Sequence, residues 1–248
     1  MSLAHPKFSY EKGLHQIGNG AYAWLQPDGG WGWSNSGLIV DSDQSLVVDT
    51  LFDVPLTQTM LAAYADAEPA ANTVNNVINT HHNGDHCNGN CCCPDAEIIA
   101  HKLTAEHMQA EPPSLVQGFL DAAPGLGELG NYLTSCFGPF DFKSVDQRLP
   151  DRLIEEETTI KLGDKDIHLI PVGPAHTPGD TLVHVPADRT SIRAIFYSLA
   201  AIQSFGKGRC KTGLTHAIAL SLWMSRRLFP VMAPSPPKPA LKKCVIIW

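Results

Sequence analysis

The sequence predicts a mixed α/β (α+β) protein built from layered sheets. Strand-like segments of alternating polarity, paired about Gly- and Asp-rich turns, dominate the first fifty residues, and helical segments are interspersed among the later strands. The 248 residues are 44% hydrophobic and 17% charged, a composition that can bury a core and belongs to neither a disordered chain nor a fibre.

Leu14–Ile17 and Ala21–Leu25 flank Gly18-Asn19-Gly20, a hairpin turn signal. Ser36–Val40 and Ser45–Asp49 bracket Asp41-Ser42-Asp43-Gln44, a second hairpin. Pro55 opens a helix through about Ala67, because Pro suits the first helical turn. Val74–Asn79 is a short apolar strand that runs into a His-rich loop. Glu97–His101 reads as the next strand, and Lys102–Ala110 as a helix stopped by Pro112-Pro113. Ser114–Cys136 is helical but broken by Pro124, Gly125, Gly127 and Gly130. Thr158–Leu162 and Asp166–Pro171 form a hairpin around Gly163-Asp164-Lys165, and Thr181–Val185 is a further strand.

Composition excludes several classes of function. No run reaches the ~18 apolar residues of a membrane-spanning helix. The start, MSLAHPKFSYEK, has no basic region followed by an apolar core, so no signal peptide is expected. Seven Cys without such a leader predict a reducing, cytoplasmic setting. No basic stripe occurs before residue 189, which argues against nucleic acid and for a small-molecule substrate. The oligomeric state is not readable. Trp24, Trp31 and Trp33 surround Pro27-Asp28-Gly29-Gly30, either as core packing or as an aromatic loop over an apolar substrate.

The strongest local signal is Asn79-Thr80-His81-His82-Asn83-Gly84-Asp85-His86-Cys87-Asn88-Gly89-Asn90. It follows a strand, at the carboxyl end where α/β proteins place ligands. Residues two apart on an extended segment project to one side, so positions 81 and 83 can address one ion, while His82 points the other way. A tight turn at Gly84 swings Asp85 and His86 toward a second point. Neutral imidazole and carboxylate suit zinc and other borderline metals. A second loop, Val172-Gly173-Pro174-Ala175-His176-Thr177-Pro178-Gly179-Asp180, also follows a strand and delivers His176 as a further ligand. Cys91-Cys92-Cys93 cannot all face one ion and reads as packing or as reactive thiols.

The two loops together resemble the metallo-β-lactamase superfamily, whose pattern is His-x-His-x-Asp-His after a strand. His81, Asp85 and His86 match it, and His176 in GPAHTPGD matches the downstream ligand loop. The resemblance covers about residues 14–188. It implies an αββα sandwich with a site for one or two metal ions between the sheets, His81 and His176 on the first and Asp85 and His86 on the second. Zinc is the implied cofactor, with iron or manganese served by the same ligand set. Asn83 stands where the family has its second His, and an amide oxygen is a weaker ligand than imidazole. The chemistry implied is attack of a metal-activated water on an ester, lactone, thioester or β-lactam-like carbonyl, with Asp85 as the catalytic residue that orients it.

The resemblance also implies a bridging Asp in a Gly-Asp pair and a final His in Pro-Gly-His-Gly, and neither occurs after residue 188. Residues 1–188 carry a net charge of −17, whereas 189–248 contain no Asp or Glu and carry +10. The genetic code offers a test. If one base was lost near Thr190, the original codons combine the third base of each present codon with the first two of the next. Ala194–Gly208 can then read Gly-Asp-Ile-Leu-Phe-Ile-Gly-Gly-Asn-Pro-Val-Val-Trp-Lys-Gly. Trp and Met have single codons, so Trp223–Met224 is forced to Asp and Met232–Ala233 to Gly. Leu222–Pro234 reads Leu-Asp-Val-Glu-Thr-Val-Val-Pro-Gly-His-Gly-Pro. The sequence therefore divides into 1–190, a metal-binding domain, and 191–248, an aberrant basic tail that reads either as out of frame and poorly ordered, leaving the second half of the sandwich incomplete, or as a divergent tail with a helix over Thr215–Leu228 and a basic charge that serves a partner. Two other readings follow: a frame-damaged protein with weak metal binding and little or no catalysis, and an iron-binding, non-hydrolytic relative.

Overall fold

The computed structural model describes residues 11–26, 30–188, 190–193 and 244–246. Two sheets carry the fold. The first has seven strands in chain order: β1 (Gly13–Gly18), β2 (Ala21–Leu25), β3 (Ser36–Asp41), β4 (Gln44–Val48), β5 (Asn76–Asn79), β6 (Glu97–His101) and β7 (Arg152–Ile154). Its first four strands are an antiparallel meander, and β4 through β7 pair in parallel. The second sheet has the order β12-β11-β10-β9-β8, formed by β8 (Thr158–Leu162), β9 (Lys165–Pro171), β10 (Thr181–Val185), β11 (Thr190–Arg193) and β12 (Cys244–Ile246).

Apolar side chains alternate along these strands, and the two inner faces meet in one core. Ile39, Leu46, Val48, Ile78 and Ile99 of the first sheet pack against Ile160, Leu162, Ile167, Leu169, Val183 and Val185 of the second. The other face of the first sheet offers Tyr22, Trp24, Leu38, Val47, Val77 and Ile98, covered by Met60 and Tyr64 of helix α1 (Val54–Ala67). Asp53 caps α1 by accepting the Leu56 N–H at 2.9 Å, and Pro55 occupies its first turn. The remaining helices are the single turn α2 (Gly84–Cys87), α3 (Lys102–Ala110), α4 (Pro113–Ala122) and α5 (Gly127–Phe137).

The mixed α/β class and the hairpins agree with the sequence reading, as does the interrupted helix 114–136, which is α4 and α5. The sequence reading contains no counterpart of β7, and the expected tight turn at Gly84 is the helical turn α2. The break placed at residue 190 falls inside β11, and β12 pairs with that strand in parallel, Ser191 opposite Cys244. The rest of the tail, with the expected loss of order and the re-read Gly-Asp and Pro-Gly-His-Gly segments, lies outside the described residues.

Lys165 ties the sheets together. Its Nζ, in the second sheet, donates to the carbonyls of Asn19 (2.6 Å) and Val40 (3.0 Å) in the first, and to Asp188 (2.8 Å). Both charged side chains are almost fully buried, at 7% and 4% exposure. Lys165→Met removes the ammonium of this buried ion pair together with its bonds to two backbone carbonyls, and should lower stability by about 3 kcal/mol. Urea unfolding monitored by tryptophan fluorescence checks this; a loss below about 1 kcal/mol would mean that water reaches the carboxylate.

Candidate metal centre

The carboxyl ends of the parallel strands β4 and β5 lie side by side, so the residues that leave them meet. Asp49 follows β4, and the His-rich loop follows β5. Asp49 is fully buried with φ +61°, a left-handed conformation that Asp tolerates better than most residues. Its Oδ1 accepts the Thr80 N–H at 2.7 Å, and its Oδ2 accepts the Thr80 hydroxyl at 2.6 Å and His86 Nδ1 at 2.9 Å. Three donors therefore occupy this carboxylate, which makes Asp49 an orienting residue even though its oxygens lie within 4.8 Å of nitrogens of His81 and His86.

His81 and His86 are both fully buried, with ring centroids 4.2 Å apart. His81 Nδ1 lies 3.0 Å from the Thr80 hydroxyl, and His86 Nδ1 is held by Asp49. The opposite nitrogens, His81 Nε2 and His86 Nε2, have no hydrogen-bond partner. A buried imidazole nitrogen without a partner costs free energy unless something accepts its lone pair. With the second nitrogen of each ring already fixed, this is the arrangement of metal-ligating histidines, so the residues present fit a bound cation.

His176 reaches the same point from the second sheet. Its ring stands edge-on to His81 at 5.1 Å, and its Nε2 lies 3.2 Å from Asn83 Nδ2. Asp85 Oδ2 lies 3.6 Å from His86 Nε2. The structure thus brings together all five residues singled out by the sequence: His81, Asn83, Asp85, His86 and His176. His82 points away and stacks on His107 instead.

The frame around these side chains is dense. Asn79 and Asn90 exchange amide hydrogen bonds at 2.8 and 3.1 Å, and Asn79 also donates to the His86 carbonyl. The Ser34 hydroxyl donates to the Asp85 carbonyl. Thr181 N–H donates to the Thr80 carbonyl at 2.9 Å, joining the two ligand loops across the sheets. Asp180 closes the His176 loop by accepting the backbone N–H groups of His176 and Thr177. Gly179 approaches α3 so closely that a Cβ there would sit 2.4 Å from Thr104 Oγ1. Asp49, Asp180 and Ser34 went unassigned in the sequence reading; for Asp49 the available signal was an acidic residue closing an apolar strand at the same sheet end as the ligand loop.

Electrostatics keep two of the three imidazoles neutral and favour positive charge at the third. Burial holds His81 well below the usual imidazole range, with His86 and His176 adding to the effect. Burial also lowers His176. His86 is opposed by burial as well, yet Asp85 and Asp49 outweigh it and raise its pKa. Two carboxylates therefore ask for a proton on His86, and a divalent cation supplies the same compensation.

The neighbouring wall is aromatic. Phe52 packs against Phe140 and Phe142 at 4.8 Å each, and Trp33 against Phe140 at 5.1 Å. A Cβ on Gly84 would lie 3.0 Å from the Phe52 ring, so this cluster abuts the ligand loop. Of the three tryptophans considered in the sequence, Trp24 is core, Trp33 belongs to this wall, and Trp31 is exposed; Pro27–Gly29 lie outside the described residues. Burial pushes the thiols of Cys92 and Cys93 up to about 12, so these are packing residues rather than reactive thiolates. Among the described residues no helix is long and apolar enough to cross a membrane.

Comparison with known proteins identifies the family and the fold. The sequence profile of the metallo-beta-lactamase superfamily matches residues 29–192. No curated relative matches the chain at a significant level. Among solved structures, the metallo-beta-lactamase from Pontibacter korlensis superposes with a TM-score of 0.63 at 14% identity, over 96% of this chain and 91% of that one. The metallo-beta-lactamase from Hirschia baltica gives 0.53 at 16% identity, over 84% of each chain. The stereoselective inverting sec-alkylsulfatase Pisa1 from Pseudomonas sp. gives 0.55 at 16% identity over 75% of this chain, which spans only 31% of that enzyme's length. At such identities the likeness shows the fold.

Proposed function

The chain belongs to the metallo-beta-lactamase superfamily, and on that premise we propose that it is descended from, and built as, a metal-dependent hydrolase of an ester, lactone, thioester or β-lactam-like carbonyl. The observation that carries this reading is the pair of buried, unpartnered Nε2 atoms on His81 and His86, each on a ring whose other nitrogen is already held. His81 and His176, with Asn83 beside them, would hold one cation, and Asp85 and His86 a second. Zinc suits this nitrogen-rich set best. A cation there supplies Lewis acidity toward a carbonyl and an activated water at neutral pH. The carboxylate of Asp85, 21% exposed and with its Oδ2 3.6 Å from His86 Nε2, is placed to accept and orient a proton. Asp49 keeps the His86 ring in one tautomer, with Nδ1 protonated and Nε2 presenting its lone pair. The aromatic wall around Phe52 excludes water on one side and favours an apolar substituent on the substrate.

A second reading rests on the tail. A chain that stops matching its family near residue 190 and lacks every acidic residue afterwards would bind metal weakly and turn over little or no substrate.

Elemental analysis of the purified full chain, with hydrolysis of chromogenic lactone, ester and lactam substrates before and after chelation, separates the readings. Bound zinc with chelator-sensitive turnover, the turnover lost and the zinc content lowered in His86→Ala, is the expected result. Absence of bound metal after zinc loading supports the damaged chain, and bound iron without hydrolysis supports a non-hydrolytic relative.

A further inference from the structure

We infer that His82, His107 and Glu111 form a second, peripheral site for a divalent cation, separate from the centre around His81 and His86. The His82 ring leaves the ligand loop on the side away from His81 and meets the end of α3. It stacks on His107 with centroids 4.7 Å apart and planes 28° from parallel. His107 lies in the last turn of α3, and Glu111 caps that helix, its N–H donating to the His107 carbonyl at 2.9 Å. The spacing of four residues puts both side chains on one helical face. One ligand atom from each of the three residues lies within 4.8 Å of the others.

The independent sign of a missing partner is on His82. Its side chain is only 9% exposed, its Nδ1 is buried without a hydrogen bond, and its Nε2 stands 3.7 Å from Glu111 Oε2, beyond hydrogen-bonding distance. A buried imidazole nitrogen without a hydrogen bond is anomalous. Donors around a tetrahedral zinc ion sit roughly 3.4 Å apart, given metal–nitrogen bonds of about 2.05 Å. Small rotamer adjustments of the half-buried His107 and the exposed Glu111 close the present set to that spacing. Two imidazoles and one carboxylate match zinc and its neighbours in the transition series, with a water completing the shell on the exposed side. An ion held there links α3 to the loop that carries His81, so occupancy of the peripheral site stiffens the central one without supplying it a ligand.

The test uses the full chain, stripped with a chelator and dialysed against zinc alone. The parent should bind one equivalent more than His107→Ala/Glu111→Gln, while His86→Ala, which cripples the central site, should retain that equivalent. Zinc should also raise the melting temperature of His86→Ala, and that rise should vanish when the two peripheral substitutions are added. Glu111 is exposed and His107 only half-buried, so circular dichroism should show an unchanged fold; if the double variant is unfolded, Glu111→Gln alone should weaken zinc binding at this site at least tenfold. Equal stoichiometry in parent and peripheral variant, or no zinc-dependent stabilisation of His86→Ala, overturns the proposal. Failure of the central site leaves this test intact, because its readout is taken in the His86→Ala background.

Discussion

Asp49→Ala should lower the stability of the metal-free chain by about 4 kcal/mol and, independently, weaken zinc binding by roughly 10–100-fold. The carboxylate is fully buried and accepts from three donors: the Thr80 N–H, the Thr80 hydroxyl and His86 Nδ1. Truncation strands all three where water does not reach, which is costlier than losing the net value of the bonds. It also frees the His86 ring to rotate or change tautomer, so Nε2 no longer presents its lone pair. The two effects separate experimentally. Urea unfolding in chelator reads the first, and zinc titration of the folded variant reads the second. Asp49→Asn keeps the volume and one acceptor oxygen, so its stability loss should be smaller. Its metal loss should persist, because the amide's NH2 group faces either His86 Nδ1–H or the Thr80 donors and repels one of them. Unchanged zinc affinity in both variants would mean that His86 is held by packing alone.

The parts legible in the sequence are those whose physics is local. The hairpin β1–β2 could be read because a Gly-rich turn lies between alternating apolar residues. The loop 79–90 could be read because four potential ligands fall within six residues after a strand. What escaped was non-local. Strand β7 has only three residues, two of them exposed, and exists because β6 offers it a parallel edge, which no local pattern announces. Asp49 lies 37 residues from His86, and its role appears only once β4 and β5 are known to be neighbours. His82, set aside in the sequence as facing the wrong way for the central site, does face away, and its contact with α3, a helix the sequence announces, is a long-range one that no local pattern shows.

Re-reading the gene with one base inserted near codon 190 should produce a chain that binds zinc ~100-fold more tightly than the present one, because loss of even an outer-shell partner costs roughly 10–100-fold and two direct ligands are at stake. The present tail has ten Lys and Arg and no Asp or Glu, so it cannot supply a bridging carboxylate. The shifted reading restores Gly-Asp in Ala194–Gly208 and Pro-Gly-His-Gly in Phe229–Ala233, in the order that a two-metal centre of this family requires. Two of its residues are dictated rather than chosen: Trp223–Met224 can yield only Asp, and Met232–Ala233 only Gly. The free base in the remaining codons makes any single match weak, so the weight lies in their run and order. Nucleotide sequencing decides the premise at once. Codons whose shifted reading lacks Gly-Asp and Pro-Gly-His-Gly end it. If the premise holds, the restored chain should bind a second zinc equivalent at the Asp85–His86 pole and gain chelator-sensitive hydrolysis, measured beside the present chain at equal zinc. A restored chain with unchanged zinc affinity would show that the tail never reached the ligand loops, and that His81 and His176 hold their cation without it.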